Sequence, residues 1–75
     1  MSVQYRVVFG KNDEAVEGPD DAEVVVTIAA ADAALDPTVA FMQGRLKASG
    51  PTGPLFAVLA DGSARAAISR LASRP

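Results

Sequence analysis

Residues 22–30 read AEVVVTIAA, and this run limits the fold more than any other part of the chain. In an extended backbone Val24, Val26 and Ile28 fall on one face, and Val25 and Thr27 on the other. Four β-branched side chains precede and include Thr27, and a fifth, Ile28, follows; such crowding favours a strand over a helix. A strand that is apolar on both faces belongs inside a sheet, covered by helices on at least one side. The remaining residues must therefore supply neighbouring strands and that cover.

Two neighbours are visible before it and one after it. In VQYRVVF, residues 3–9, Val3, Tyr5, Val7 and Phe9 share a face, while Gln4, Arg6 and Val8 share the other. Alternation of this kind marks a half-buried strand. GKND, residues 10–13, is turn chemistry, EAVEG reads as a return strand, and GPDD, residues 18–21, is a second turn. RLKAS, residues 45–49, alternates again, with Leu46 and Ala48 inward and Arg45 and Lys47 outward.

The cover comes from short helices. ADAALDP, residues 31–37, is rich in alanine, but its proline pushes the preceding residue out of the helical region, so at most one helical turn fits. In DPTVAFMQG, Asp36 is placed to cap a helix, Pro37 suits its first position and Gly44 the position after its end. Val39 and Met42 then share a face, with Phe41 beside it. After the loop GPTGP, PLFAVLA from Pro54 predicts an apolar helix stopped at Asp61 and Gly62. Ser63 is expected to cap a last helix, in which Ala64, Ala67, Ile68 and Leu71 form one stripe, and Arg70 and Arg74 lie late, where cations suit the helix dipole. Strands first and helices later predict an α+β fold: a small, mainly antiparallel sheet with short helices packed on one face.

Composition removes whole classes of chemistry. With 75 residues the chain is expected to form one domain, residues 1–75. It contains neither cysteine nor histidine, so disulfides, thiolate metal sites and histidine-based nucleophilic catalysis are out of reach, and no cofactor or metal is expected. Net charge is −2, the acids gather early and the bases late, and only four aromatics are present, so no nucleic-acid partner is expected. No apolar run approaches the roughly 20 residues of a membrane-spanning helix, and MSVQYRVVFG has no signal-peptide pattern; a cytoplasmic location is expected. GPTGP lacks the Lys-Ser/Thr that would follow in a phosphate loop. A chain this small buries only roughly 60% of its unfolded surface, so tight packing or a second copy, as a homodimer, must add stability.

The block DPTVAFMQGRLKASG, preceded by AEVVVTIAAADA and followed by GPLFAVL, resembles the sterol carrier protein type 2 (sterol-binding domain) family of lipid carriers. The likeness runs over residues 3–62, with Asp36–Gly50 its most specific part. It implies a sheet backed by helices, with an apolar tunnel or cleft between them that takes fatty acyl chains, acyl-CoA or sterols; as a binding module the chain is expected to carry an acyl chain, a sterol or a polyketide-like molecule there. By that resemblance Phe41, Met42 and Leu46 line the cavity from one side, Val26 and Ile28 from the sheet, and Phe56 and Leu59 from the later helices. The inward side chains Tyr5, Val7 and Phe9 of the first strand complete the expected ligand-binding set. The chain departs from the family pattern in having no counterpart of its opening helix and only AAADAAL where a longer helix stands.

The same residue types also build plain cores. Phe41 and Met42 read as core or as ligand wall, and Met42 is adaptable enough for either. Tyr5 reads as a buried ring with a satisfied hydroxyl, or as a group that orients a polar head or donates a proton. Arg45 and Lys47 read as solvated, or as anion contacts at a pocket mouth. Three functions remain open on sequence: a carrier of an apolar ligand; a small enzyme of specialised metabolism that cyclises or isomerises an apolar substrate by enclosure, helped by Tyr5, Asp36 or Asp61; and an interaction protein that only pairs with another subunit.

Overall fold

In the computed structural model, which describes residues 2–73, strands β1 (Val3–Gly10), β2 (Asp13–Glu17), β3 (Val24–Ala29) and β4 (Leu46–Ser49) form one sheet in the order β2-β1-β3-β4. Helices α1 (Pro37–Met42), α2 (Thr52–Ala60) and α3 (Ser63–Ala72) complete the expected α+β architecture, and Ala30–Asp32 makes a single 3-10 turn. Among the described residues no helix is long and apolar enough to cross a membrane.

β1 and β2 are antiparallel around a turn in which Asn12 takes a left-handed conformation at φ 61°. β3 and β4 are also antiparallel, whereas β1 and β3 run parallel, so the sheet is mixed. The parallel pair follows from how the chain leaves β2. Instead of turning back beside it, residues 18–23 cross the start of β1 and deliver β3 to its far side. The crossing is tight. A Cβ at Gly18 would run into the carbonyl oxygen of Val3, and Gly18 sits at φ +113°, where other residues are strained. Gln4 ties the crossing down, its Nε2 donating to the Pro19 carbonyl at 3.1 Å and to Asp20 Oδ1 at 3.3 Å. Arg6 Nε donates to Gln4 Oε1 at 2.8 Å, which explains how an amide only 1% exposed is tolerated.

The register places Tyr5 beside Val26 and Val26 beside Ala48, and Val7 beside Ile28 and Ile28 beside Leu46. These side chains point to the helical layer and, with Val24, form the sheet's half of the core. α3 lies over β1 and β2 and contributes Ala64, Ala67 and Ile68, with Leu71 half-buried, as its stripe predicts. Its alanines let the helix approach the sheet closely. α1 packs on β4, and α2 adds Leu55 and Val58. The opposite face of the sheet carries Arg6, Val8, Val25, Thr27 and Lys47, and among the described residues no helix covers it.

Two helix starts differ from the sequence reading. α2 begins at Thr52 rather than Pro54, because a proline within the first turn gives up no intrahelical hydrogen bond. In α3, Ser63 is the first helical residue rather than the cap: Gly62 stands at the cap position at φ +88° with no side-chain cap, and the Ser63 amide donates to Asp61 Oδ1 at 2.8 Å. Arg74 lies outside the described residues.

Candidate functional site

The block that carries the family resemblance folds into the corner where α1 meets α2. Asp36 accepts from the Thr38 amide at 2.9 Å and the Val39 amide at 3.4 Å, and Pro37 occupies the first helical position. At the other end Gly44, at φ +75°, reverses the chain; its amide donates to the Phe41 carbonyl and that of Arg45 to the Ala40 carbonyl. The helix is held to six residues by these two devices. A helix this short can aim only one narrow face at the sheet. α1 uses Pro37 and Ala40, and Phe41 is half-buried. Val39 and Met42, three apart, are left on the outside, Met42 with 77% of its surface exposed.

Phe56 of α2 stands beside this helix, 52% exposed. Its ring meets that of Phe41 edge-to-face, with centroids 5.9 Å apart at 84°. Such a pair fixes how the two helices lean together. Phe41 and Phe56 thus join α1 to α2 through their rings, and Val39 and Met42 add exposed apolar side chains on α1. The rim of this corner carries both signs: Arg45 Nη1 reaches Asp32 Oδ1 at 3.0 Å, and Arg65 Nη1 lies 3.9 Å from Asp36 Oδ2.

The ten side chains expected around a ligand divide into three groups. Tyr5, Val7, Val26, Ile28 and Leu46 are buried in the core between sheet and helices. Phe9, Phe41 and Leu59 are half-buried and pack against that core. Met42 and Phe56 stand at the surface. The structure thus brings Phe41, Met42 and Phe56 to one corner and keeps the inward strand residues behind it. An open cleft of about 140 Å³ lies on the uncovered side of the sheet, lined by Val25, Thr27, Lys47, Ala48 and Ser49. Sequence reasoning passed over it; the signal was the outward alternation of Lys47 and Ser49 beside Val25 and Thr27.

The groups considered for acid–base work are placed as follows. Asp36 and Asp61 both hold helix-start amides. The hydrogen bond from Ser63 keeps the Asp61 carboxyl below its usual range. Tyr5 has its phenol pushed up, first by burial and then by the carboxylates of Asp61 and Glu17, with Arg70 opposing. Glu17 in turn is held below the ordinary glutamate value by its hydrogen bond from Arg70, whose Nη2 lies 2.6 Å from Glu17 Oε2. Arg45 is tied to Asp32 rather than merely solvated. Among the described residues no group of three or more carboxylates is placed to hold a metal ion. No family model, no curated protein and no solved structure matches the chain.

Proposed function

We propose that this chain binds an apolar small molecule, of fatty acyl, sterol or polyketide-like class, at the α1–α2 corner rather than in the cavity between sheet and helices that the resemblance implies, since Tyr5, Val7, Val26, Ile28 and Leu46 form the buried core there. One observation carries the reading: Met42 and Phe56, large and apolar, are left in water beside the Phe41 ring by a fold that buries its other large aliphatic core residues well. A soluble chain gains nothing for its own folding from that arrangement, and a guest gains contact area. Removing on the order of 200 Å² of apolar surface from water is worth about 5 kcal/mol before the cost of immobilising the guest. The unbranched thioether of Met42 can follow guests of different outline. The resemblance of Asp36–Gly50 to the sterol carrier protein type 2 family supports the same ligand class. On this reading Phe41, Met42 and Phe56 touch the guest first. Leu46 and Leu59 stand behind them, and Tyr5, Val7, Phe9, Val26 and Ile28 give the wall its rigidity.

Native mass spectrometry and calorimetric titration with palmitate and with cholesterol test it. An adduct is expected, and Met42→Lys is expected to weaken it about tenfold, the usual cost of losing a central apolar contact. Absence of both adducts, or adducts indifferent to Met42→Lys, sinks the reading.

A further inference from the structure

The helices cover one face of the sheet, and the other face holds a polar cluster that the α1–α2 corner does not use. Each arginine among the described residues is ion-paired: Arg6 with Glu14, Arg45 with Asp32, Arg65 with Asp36 and Arg70 with Glu17. Lys47 is not. It lines the open cleft of about 140 Å³ together with Val25 and Thr27 of β3 and Ser49 of β4. Among the described residues, neither its ammonium nor the hydroxyls of Thr27 and Ser49 have a hydrogen-bond or ion-pair partner.

The register explains why these groups converge. Thr27 lies directly across from Lys47, and Val25 directly across from Ser49. Residues opposed in antiparallel strands share a face, with their Cβ atoms about 4.5–5.5 Å apart. Alternation keeps all four on the face away from Val26 and Leu46. A patch two residues by two thus gathers an ammonium, two hydroxyls and an apolar floor. Arg6 stands across from Thr27 on the other side, but its guanidinium is committed to Glu14 and Gln4. The lining contains no acid.

The chemistry of these groups selects the guest. An ammonium only donates, and each hydroxyl has a proton that turns to suit its neighbour. Unopposed donors around one positive charge call for an oxyanion. One ammonium balances one carboxylate, whereas a phosphate dianion adds surplus charge to a chain already at −2. Val25 and the methyl of Thr27 offer apolar surface to the carbons beside a carboxylate. Pockets for drug-sized ligands run to roughly 300–1,000 Å³. A cleft of about 140 Å³ admits a short acid or the carboxylate end of a longer one. A lysine on an edge strand also guards against pairing with a foreign strand. That role needs a charge in water and has no use for two free hydroxyls around the same hollow.

We propose that the Thr27–Lys47–Ser49 cleft binds the carboxylate of a small organic acid, with Lys47 as its charge partner and the two hydroxyls as orienting donors. The cleft lies on the opposite face of the sheet from the α1–α2 corner, so it stands or falls apart from the ligand reading above.

Amide chemical shifts of the full chain, titrated with butyrate at an ionic strength held constant with chloride, test the proposal; inorganic phosphate is the second probe. Saturable shifts are expected at Val25, Thr27, Lys47, Ala48 and Ser49, with phosphate bound more weakly than butyrate. Lys47→Gln should weaken butyrate binding about tenfold, as loss of a charge-assisted hydrogen bond does, and Thr27→Val about threefold at unchanged shape. Lys47 is exposed and Thr27 half-buried, so both variants should fold, which a melting curve checks. Lys11→Gln and Met42→Lys should bind butyrate as the parent does. Shifts that never saturate, that survive Lys47→Gln, or that are as large at Lys11 as in the cleft overturn the proposal. Phosphate bound as tightly as butyrate overturns the choice of a carboxylate. A parent chain that takes no butyrate, with a Lys47→Gln variant that self-associates, makes the lysine an edge guard and overturns the site.

Discussion

The sheet side of the core and the α1–α2 corner are built from similar side chains and meet opposite fates. Val7, Val26 and Ile28 are essentially fully buried, while Val39, Met42 and Phe56 keep roughly half or more of their surface in water. The difference is one of period. In the strands every second residue faces the helices, and the parallel register of β1 and β3 sets Val3, Tyr5 and Val7 against Val24, Val26 and Ile28 in matched rows. In a six-residue helix only a narrow face can point inward, and Pro37 and Ala40 occupy it. Phe41 still reaches the core with part of its ring, but Val39 and Met42 contribute little to this monomer by burial. What the comparison teaches is that the strand residues specify the fold and the corner residues are free to serve binding.

The largest effect expected from breaking that division is at Ile28. Ile28→Ala leaves a hole in the core between sheet and helices and should cost about 3 kcal/mol, a large share of the stability of so small a domain. Met42→Ala, a truncation of comparable size, should stay within about 0.5 kcal/mol because the side chain is already in water. Urea titration followed by circular dichroism measures both. Equal losses would erase the distinction between the two regions.

A smaller effect, confined to the corner, is expected at Asp36. Its carboxylate holds two amides at the start of a helix too short to persist alone. Asp36→Ala should cost about 1 kcal/mol, in the usual range for a lost cap. Hydrogen exchange should show the loss in Thr38–Met42 amides and leave β3 amides protected to the same depth. If β3 opens in step with α1, corner and sheet form one cooperative unit and the comparison must be redrawn.

Much of this division was legible in the chain. Alternation in Val3–Phe9 and Val24–Ile28 reveals which residues face inward, because strand sidedness is a local property of the backbone. Asp36, Pro37 and Gly44 announce a short helix by chemistry that acts within one turn. What could not be read depends on distant parts of the chain. GPDD looks like a hairpin turn, and only the packing of Gly18 and Gln4 against the start of β1 makes it a crossing and the β1–β3 pair parallel. The rotation of α1 and α2 is set by what lies beneath them, so the outward turn of Met42 and Phe56 had no local signal. Ser63 is a competent cap by type, but the left-handed Gly62 takes the cap position and leaves Asp61 to hold the Ser63 amide.

The smallest expected effect concerns pH, and it separates the regions by chemistry rather than by size. Tyr5 is the titratable side chain of the core, and its phenol is raised above its ordinary value of 10.0, chiefly by burial and then by Asp61 and Glu17. Below pH 10 both the folded and the unfolded chain keep that proton, so the group leaves stability unchanged. As pH rises past 10 the unfolded chain releases it first, and stability falls until the folded phenol also ionises. Tyr5→Phe removes this slope. Melting temperatures from pH 8 to 11 should therefore decline less steeply in Tyr5→Phe than in the parent chain, while Met42→Ala should follow the parent curve. A Tyr5→Phe curve that parallels the parent would show that the phenol already reaches water freely, and that the core is less sealed at its β1–β2 end than at Ile28.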